Sequence, residues 1–158
     1  MPDLRPASGR TFDLAELLLR RWFPERTDRE SAVIKDFLLE RGREFDRYEF
    51  SVHVGNGTRP DPEHLPGIQK TTVFSSQKRI DMLAWKGAGV TLFEVKARIG
   101  IAVLGQLQAY AQLLLEARPG ILIERLAAIG RSSDDDTLRV LASNGIDVYL
   151  YPDEPIVE

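Results

Sequence analysis

Three charged residues lie inside two strand-like apolar segments of this chain. Asp81 interrupts the first segment, and Glu94 and Lys96 interrupt the second. A charge in an apolar setting is costly unless an opposite charge, hydrogen bonds or a metal compensates it. A tight turn at residues 86–89, which are rich in glycine, joins the two segments. The sequence therefore predicts a hairpin that places the two carboxylates side by side.

The alternation of a β-strand decides which of these side chains lie together. Side chains two residues apart project from the same face, so Glu94 and Lys96 point together while Phe93 and Val95 face the opposite way. Two carboxylates and the Val95 carbonyl make a hard oxygen site suited to Mg²⁺ or Mn²⁺. With the lysine to orient water or hold a phosphate, this pattern indicates metal-assisted phosphodiester hydrolysis. The alternative interpretation of the Glu94–Lys96 pair is an ion pair on a half-exposed hairpin.

A further acid lies on a predicted helix near the N-terminus. Residues 27–30 form a capping-box pattern, and Glu30 falls on the apolar stripe of the helix that follows. From that position Glu30 can reach the edge of the sheet and complete a metal site. The alternative interpretation of Glu30 is structural, because it is also the return residue of the capping box that Thr27 begins. Glu40, at the far end of the same helix, is the other candidate for the helix acid.

Gln106 and Tyr110 are four residues apart on the clearest predicted helix, at residues 101–117. They share a polar margin beside the core stripe, where an amide and a phenol could hold a DNA strand. Arg79 and Arg98 flank the charged segments and are candidate phosphate contacts. A solvated surface is the alternative interpretation for the pair on the helix. The remaining basic residues nearby are Arg59, Lys70 and Lys78.

In their order and spacing these residues resemble the PD-(D/E)XK nuclease superfamily. The similarity covers about residues 27–151, with Ile80 in place of the proline of the motif. The segment from Gln106 to Tyr110 is similar to the Gln-x-x-x-Tyr motif of the RecB-like branch. The resemblance implies a Mg²⁺-dependent deoxyribonuclease, with Mn²⁺ as a substitute, acting in DNA repair, recombination or the processing of mobile-element or phage DNA.

Roles for particular residues follow from the same resemblance. It implies that the metal is held by Asp81, Glu94, the Val95 carbonyl and Glu30. Lys96 would act as the base or water-orienting group. Substrate contacts would come from Gln106, Tyr110, Arg79 and Arg98. The motifs distinguish neither DNA from RNA nor exonuclease from endonuclease action, and DNA is the substrate that the resemblance implies.

The periodicity of the whole chain predicts an α/β fold in the order α-α-β-β-β-α-β-α-β. This is a restriction-endonuclease-like core, a central mixed β-sheet flanked by helices. Helices are expected at residues 11–22, 27–42, 101–117 and 134–143. Strands are expected at 44–54, 79–86, 90–97, 121–129 and 146–151. Residues 55–77 are predicted to be a long loop or flap, with a strand starting at Thr71 as the alternative.

Composition narrows the function classes. The chain has 158 residues, fits one domain over residues 1–158 with a loose lead-in at 1–10, and has no cysteine, which excludes thiol catalysis. No apolar run has the length of a membrane span, and we expect a cytoplasmic protein. No glycine-rich loop opens a helix after a strand, which argues against a Rossmann-like enzyme.

The charge balance is the main observation against a nuclease. The net charge of −3 favours a second hypothesis, a non-catalytic nucleic-acid- or protein-binding module on a nuclease-like scaffold. The intact set of Asp81, Glu94 and Lys96 favours the enzyme. A nuclease of this size would require structure-specific binding, a homodimer or partner proteins for targeting.

Overall fold

The computed structural model describes residues 10–153, the side chain of Ser75 excepted, so most of the predicted lead-in at residues 1–10 lies outside the described part. The strands are β1 (Thr11–Phe12), β2 (Arg47–Val54), β3 (Lys78–Lys86), β4 (Gly89–Val95), β5 (Arg98–Ile99), β6 (Leu122–Gly130), β7 (Ser132–Ser133) and β8 (Ile146–Leu150). The helices are α1 (Leu14–Leu18), α2 (Asp28–Arg41), α3 (Pro66–Ser76), α4 (Ala102–Ala117) and α5 (Asp135–Ser143), with a 3₁₀ turn at Gly42–Glu44.

The predicted α/β fold, a mixed sheet flanked by helices, is confirmed. Six strands form one sheet in the order β1-β2-β3-β4-β6-β8. The first three pairings are antiparallel, and those of β4 with β6 and of β6 with β8 are parallel. The helices α1 and α2 pack on one face of the sheet, and α4 and α5 pack on the other. The short strands β5 and β7 form a separate parallel pair that the sequence did not predict.

The predicted helix from Thr27 to Gly42 is confirmed as α2. The Thr27 hydroxyl accepts the Glu30 amide at 3.2 Å, which caps the helix start, and Gly42 caps its end. The predicted apolar face is fully buried, and its members are Val33, Ile34, Phe37 and Leu38. Phe37 packs against Phe93 of β4 with ring centroids 5.0 Å apart. Burying a side chain of this size stabilises the fold by about 1.5–3 kcal/mol, so this face fixes α2 against the sheet.

The predicted helix over residues 11–22 is wrong in extent. Residues 11 and 12 pair with β2 as a strand, and α1 ends at Leu18. The ammonium of Lys35 donates hydrogen bonds to the carbonyl oxygens of Leu17, Leu18 and Arg20, so these groups do not continue a helical ladder. Trp22, the last residue of the predicted helix, is 47% exposed.

The prediction of a loop over residues 55–77, and of a strand from Thr71 as its alternative, is also wrong. Residues 66–76 form α3, and a connection remains at residues 55–65. Pro66 starts the helix because its fixed φ suits the first turn, where no amide donor is needed. No helix in the described part of the chain is long and apolar enough to cross a bilayer.

An ion pair between a buried carboxylate and a partly exposed arginine fixes α4 against the antiparallel half of the sheet. Glu49 of β2 is buried and accepts two hydrogen bonds from Arg118, both at 2.9 Å. The Trp85 indole N–H donates to the same carboxylate at 2.8 Å. Arg118 follows directly after α4, so this contact sets how that helix lies over the sheet.

We therefore expect Arg118→Ala to lower the free energy of unfolding by about 1–3 kcal/mol, because it leaves the buried Glu49 carboxylate with only the indole donor. Denaturant unfolding monitored by circular dichroism measures this change. The matched control is Arg139→Ala, which breaks an exposed pair with Asp136 and should cost less than about 0.5 kcal/mol. Equal losses in the two variants would contradict a special role for the Arg118 contact.

Candidate active site

The two candidate carboxylates lie opposite one another where β3 and β4 separate. The last paired residues of the two strands are Met82 and Phe93, so Asp81 and Glu94 are the next positions in the register. Both residues are buried, with 3% and 4% of their surface exposed. The Val95 amide donates to Asp81 Oδ2 at 2.6 Å, so this carboxylate receives a main-chain donor where the ladder ends. The predicted juxtaposition of Asp81 and Glu94 is therefore present.

Glu94 is the less compensated member of this pair. Its Oε1 lies 3.5 Å from Lys96 Nζ, which places the two side chains on one face as the strand alternation predicts. Its Oε2 is buried and has no hydrogen-bond partner in the described part of the chain. Burial, and next the charge of Asp81, raise the pKa of Glu94 to about 8. The carboxyl therefore holds a proton at neutral pH, and a cation at Oε2 would take its place.

Arg26 compensates the other carboxylate and was not foreseen from the sequence. Its Nη1 donates to Asp81 Oδ1 and, at 3.1 Å, to Glu30 Oε2. Burial raises the pKa of Asp81, and the Arg26 charge and the Val95 amide oppose that rise. The Arg26 guanidinium thus bridges the carboxylates of Glu30 and Asp81. The other candidate acid, Glu40, is exposed and pairs with its neighbour Arg41.

Two residues with left-handed backbone conformations hold the segment that carries Arg26. Among the described residues other than glycine, only Glu25 (φ 57°) and Ser51 (φ 49°) have positive φ. Such a conformation costs a residue with a Cβ about 1–2 kcal/mol. Ser51 lies in β2 between the residues that pair with Met82 and Ile80, so it is the neighbour of Asp81. Its hydroxyl donates to the Pro24 carbonyl, which ties the segment to the sheet beside the carboxylates.

The predicted substrate residues divide into two groups. Burial, and then the charges of Glu94 and Asp81, raise the pKa of Tyr110, so this phenol is within electrostatic range of both carboxylates. Gln106 is half-buried one turn earlier on α4. Arg79 is half-exposed at the start of β3, and its Nη1 lies 3.3 Å from Glu25 Oε2. Arg98 is directed to Asp134, 4.0 Å away at the start of α5.

Sequence reasoning missed three residues beside the carboxylates, namely Glu25, Arg26 and His53. Arg26 and Glu30 have the spacing of an ion pair within one helix turn, which is the single local signal for them. The contact between Arg26 and Asp81 joins residues 55 positions apart, and no periodicity encodes it. His53 has no ligand spacing around it in the sequence, so no local pattern marks it.

The donor set fits a single Mg²⁺ ion. Mg²⁺ is commonly bound by one or two carboxylates and keeps several water ligands. Asp81 and Glu94 supply the carboxylates, and the buried, unpartnered Oε2 of Glu94 is an acceptor that lacks a donor or cation. Within residues 10–153, no three histidine, aspartate or glutamate side chains converge as a metal site. Glu30 joins the ligands only if Arg26 releases it.

Comparisons with known proteins find similarity among solved structures. No protein-family model matches the chain, and no curated protein does. A repair endonuclease from Pyrococcus abyssi has 16% sequence identity and a TM-score of 0.44, over 82% of this chain and 50% of that chain. The EndoMS–dsDNA2 complex has 14% identity and a TM-score of 0.43, over 80% of this chain and 46% of that chain. The chain thus spans about half the length of each, and the likeness concerns the fold.

The raised pKa of Glu94 makes stability depend on pH. The folded state binds this proton more tightly than the unfolded chain, so the wild type loses stability as the pH rises from 4.5 to about 8. Glu94→Gln replaces the titrating carboxyl with a neutral amide of nearly the same shape. In EDTA we expect the variant to exceed the wild type by about 1–3 kcal/mol near pH 9 and to match it near pH 5.

Urea unfolding at the two pH values measures this difference. The control is Glu116→Gln, an exposed acid on α4, which should show no such pH-dependent gain. A Glu94→Gln variant that is destabilised equally at both pH values would contradict the burial of a protonated carboxyl.

Proposed function

We propose that this protein is a metal-dependent nuclease that hydrolyses phosphodiester bonds of DNA. The observation that carries the proposal is the pair of buried carboxylates, Asp81 and Glu94, with the Lys96 ammonium 3.5 Å from Glu94 Oε1. Two buried acids side by side weaken a fold, since each loses hydration and the two repel one another. Their position at the end of a strand pair is typical of sites that bind a cation for chemistry.

The proposed roles of the residues follow from their positions. Asp81, Glu94 and the Val95 carbonyl would hold the divalent ion, Mg²⁺ with Mn²⁺ as a substitute. When bound, the ion would supply positive charge to a phosphoryl oxygen and lower the pKa of water. Lys96, still 44% exposed at its side chain, can donate to an attacking water while Glu94 holds its ammonium in place. The oxygen of that water would form the new bond to phosphorus as the bond to the leaving oxygen breaks.

The substrate contacts belong to the same proposal. Tyr110 and Gln106 on α4 would position the strand beside the carboxylates, and Arg79 and Arg98 would contact phosphates on either side. The Gln-x-x-x-Tyr spacing supports the RecB-like branch and a role in DNA repair, recombination or the processing of mobile-element or phage DNA. A homodimer or a partner protein would contribute to targeting.

The test is cleavage of labelled linear duplex, circular duplex, single-stranded and branched DNA with Mg²⁺, Mn²⁺ or EDTA. We expect cleavage that requires the metal, and a loss of at least about a hundredfold in Glu94→Ala, because that variant removes a metal ligand and the partner of Lys96. The matched control is Asp136→Asn, which alters an exposed acid on α5. Its cleavage rate should equal that of the wild type.

Two results would contradict the assignment. Cleavage by purified Glu94→Ala as fast as by the wild type would remove Glu94 from the site. The absence of cutting on every substrate would favour the second candidate function.

The second candidate is a non-catalytic binding module, and the contact between Arg26 and Asp81 favours it. A guanidinium already neutralises this carboxylate and Glu30, as it would in a scaffold that needs no metal. The affinity for the metal separates the two functions, because only the nuclease requires Arg26 to yield Asp81 to another cation.

We expect Arg26→Gln to bind Mn²⁺ about tenfold more tightly than the wild type, since a competing cation is removed from Asp81. Isothermal titration calorimetry measures the affinity without any cleavage. The control, Arg41→Gln, removes an exposed arginine that pairs with Glu40 and Glu44 and should leave Mn²⁺ binding unchanged. Failure of both wild type and Arg26→Gln to bind Mn²⁺ would favour the binding module.

A further inference from the structure

A carboxylate lies between a histidine and an arginine next to the proposed active site. The Oε2 atom of Glu25 lies 3.3 Å from His53 Nε2 and 3.3 Å from Arg79 Nη1. His53 and Arg79 face one another as a cross-strand pair of β2 and β3. Two donors from adjacent strands therefore converge on one anionic group.

The surroundings of His53 orient it as a donor toward that group. Its Nδ1 lies 3.0 Å from the Phe74 carbonyl oxygen, and its Nε2 faces the Glu25 carboxylate. Both ring nitrogens thus lie within hydrogen-bond reach of oxygen atoms. The ring stacks on Phe74 of α3 at a centroid distance of 3.9 Å, so its direction is fixed by packing.

The trio of Glu25, His53 and Arg79 adjoins the candidate metal ligands. Arg79 precedes Asp81 by two residues on β3, and Glu25 precedes Arg26, which donates to Asp81. Tyr110 also senses the charges of Arg79, Asp81 and Glu94 together. A DNA strand with one phosphate at the carboxylates would therefore bring a neighbouring phosphate to His53 and Arg79.

We propose that His53 and Arg79 form a phosphate subsite for the DNA backbone, which the Glu25 carboxylate fills until DNA displaces it. This inference rests on the proposed function for the identity of the ligand. A carboxylate and a phosphate accept the same hydrogen bonds from guanidinium and imidazolium groups. Glu25 has a left-handed backbone conformation, and its side chain is held at this position by these two contacts alone among those the structure shows for the described residues. The subsite would bind a phosphodiester. In the structure without DNA, Glu25 fills the place of the phosphate, and the next residue, Arg26, pairs with the candidate metal ligand Asp81.

The test is the affinity for short fluorescein-labelled duplex and single-stranded DNA, measured by anisotropy in EDTA so that no cleavage occurs. We expect Glu25→Gln to tighten binding by about two- to fivefold, because one half-exposed competing ion pair is removed. The matched control is Glu63→Gln, which removes the same charge from the exposed connection before α3. The gain should exceed that of the control and should vanish when His53→Gln is added.

The direction of the change separates this inference from a structural clamp. If the trio only ties residues 24–26 to the sheet, Glu25→Gln will bind DNA no better than Glu63→Gln, which would overturn the subsite. DNA binding by no variant would overturn it as well. Tighter binding by Glu25→Gln without metal-dependent cleavage by the wild type would retain the subsite and reject the nuclease.

A second measurement does not depend on a variant that folds. In the wild type, the ring resonances of His53 in a long-range ¹H–¹⁵N spectrum should shift when unlabelled DNA is added. Those of His64, which lies in the exposed connection beside Asp61, should stay in place. Equal shifts of the two histidines, or no shift of His53, would contradict the subsite.

Discussion

The fold depends on one constraint, the burial of two carboxylates side by side on neighbouring central strands. Two like charges about 4 Å apart repel by about 4 kcal/mol at an effective dielectric constant of 20, a large share of the 5–15 kcal/mol that typically stabilises a domain of any kind. The chain meets this cost with a guanidinium and a main-chain amide on Asp81, and with a proton and a nearby ammonium on Glu94. Glu94 Oε2 has no hydrogen-bond partner in the described part of the chain, so the site is suited to a cation that replaces the proton.

The connection between α1 and α2 is anchored so that Arg26 reaches Asp81. Phe23 is fully buried and packs on Phe50 at 4.9 Å, which anchors the connection to β2. The Ser51 hydroxyl donates a hydrogen bond to the Pro24 carbonyl oxygen, and Thr27 then caps α2. Between these anchors Glu25 has the left-handed conformation that turns its own side chain toward Arg79 and the next one toward Asp81. The strain is local and the anchors on both sides offset it.

The features that could be predicted from the sequence are those set by residues close together in the chain, such as helix caps, apolar stripes and strand alternation. The helix α2 was predictable from its capping box and apolar stripe, and the hairpin of β3 and β4 from alternation around a glycine turn. The same alternation correctly brought Glu94 and Lys96 together. The helix α3 was missed because the prolines and glycines before it indicate a loop, while Pro66 in fact begins a helix. Arg26 was missed because its partner is 55 residues away, and only the tertiary fold brings them together.

The pairing of cations near the site explains how a chain with a net charge of −3 can be reconciled with a nucleic-acid ligand. Each cation proposed to act there already has an acidic partner from the chain: Arg26 has Asp81 and Glu30, Arg79 has Glu25, Lys96 has Glu94, and Arg98 has Asp134. On the proposed function, a phosphate that contacts one of these cations would therefore exchange with its carboxylate. Such exchange lowers the gain from non-specific contact with DNA, because a paired cation releases fewer counterions than a free one. On the proposed function, binding would be favourable only where several exchanges occur at once, which is the geometry of a strand seated over Asp81 and Glu94. The internal ion pairs would thus act as a threshold for productive binding.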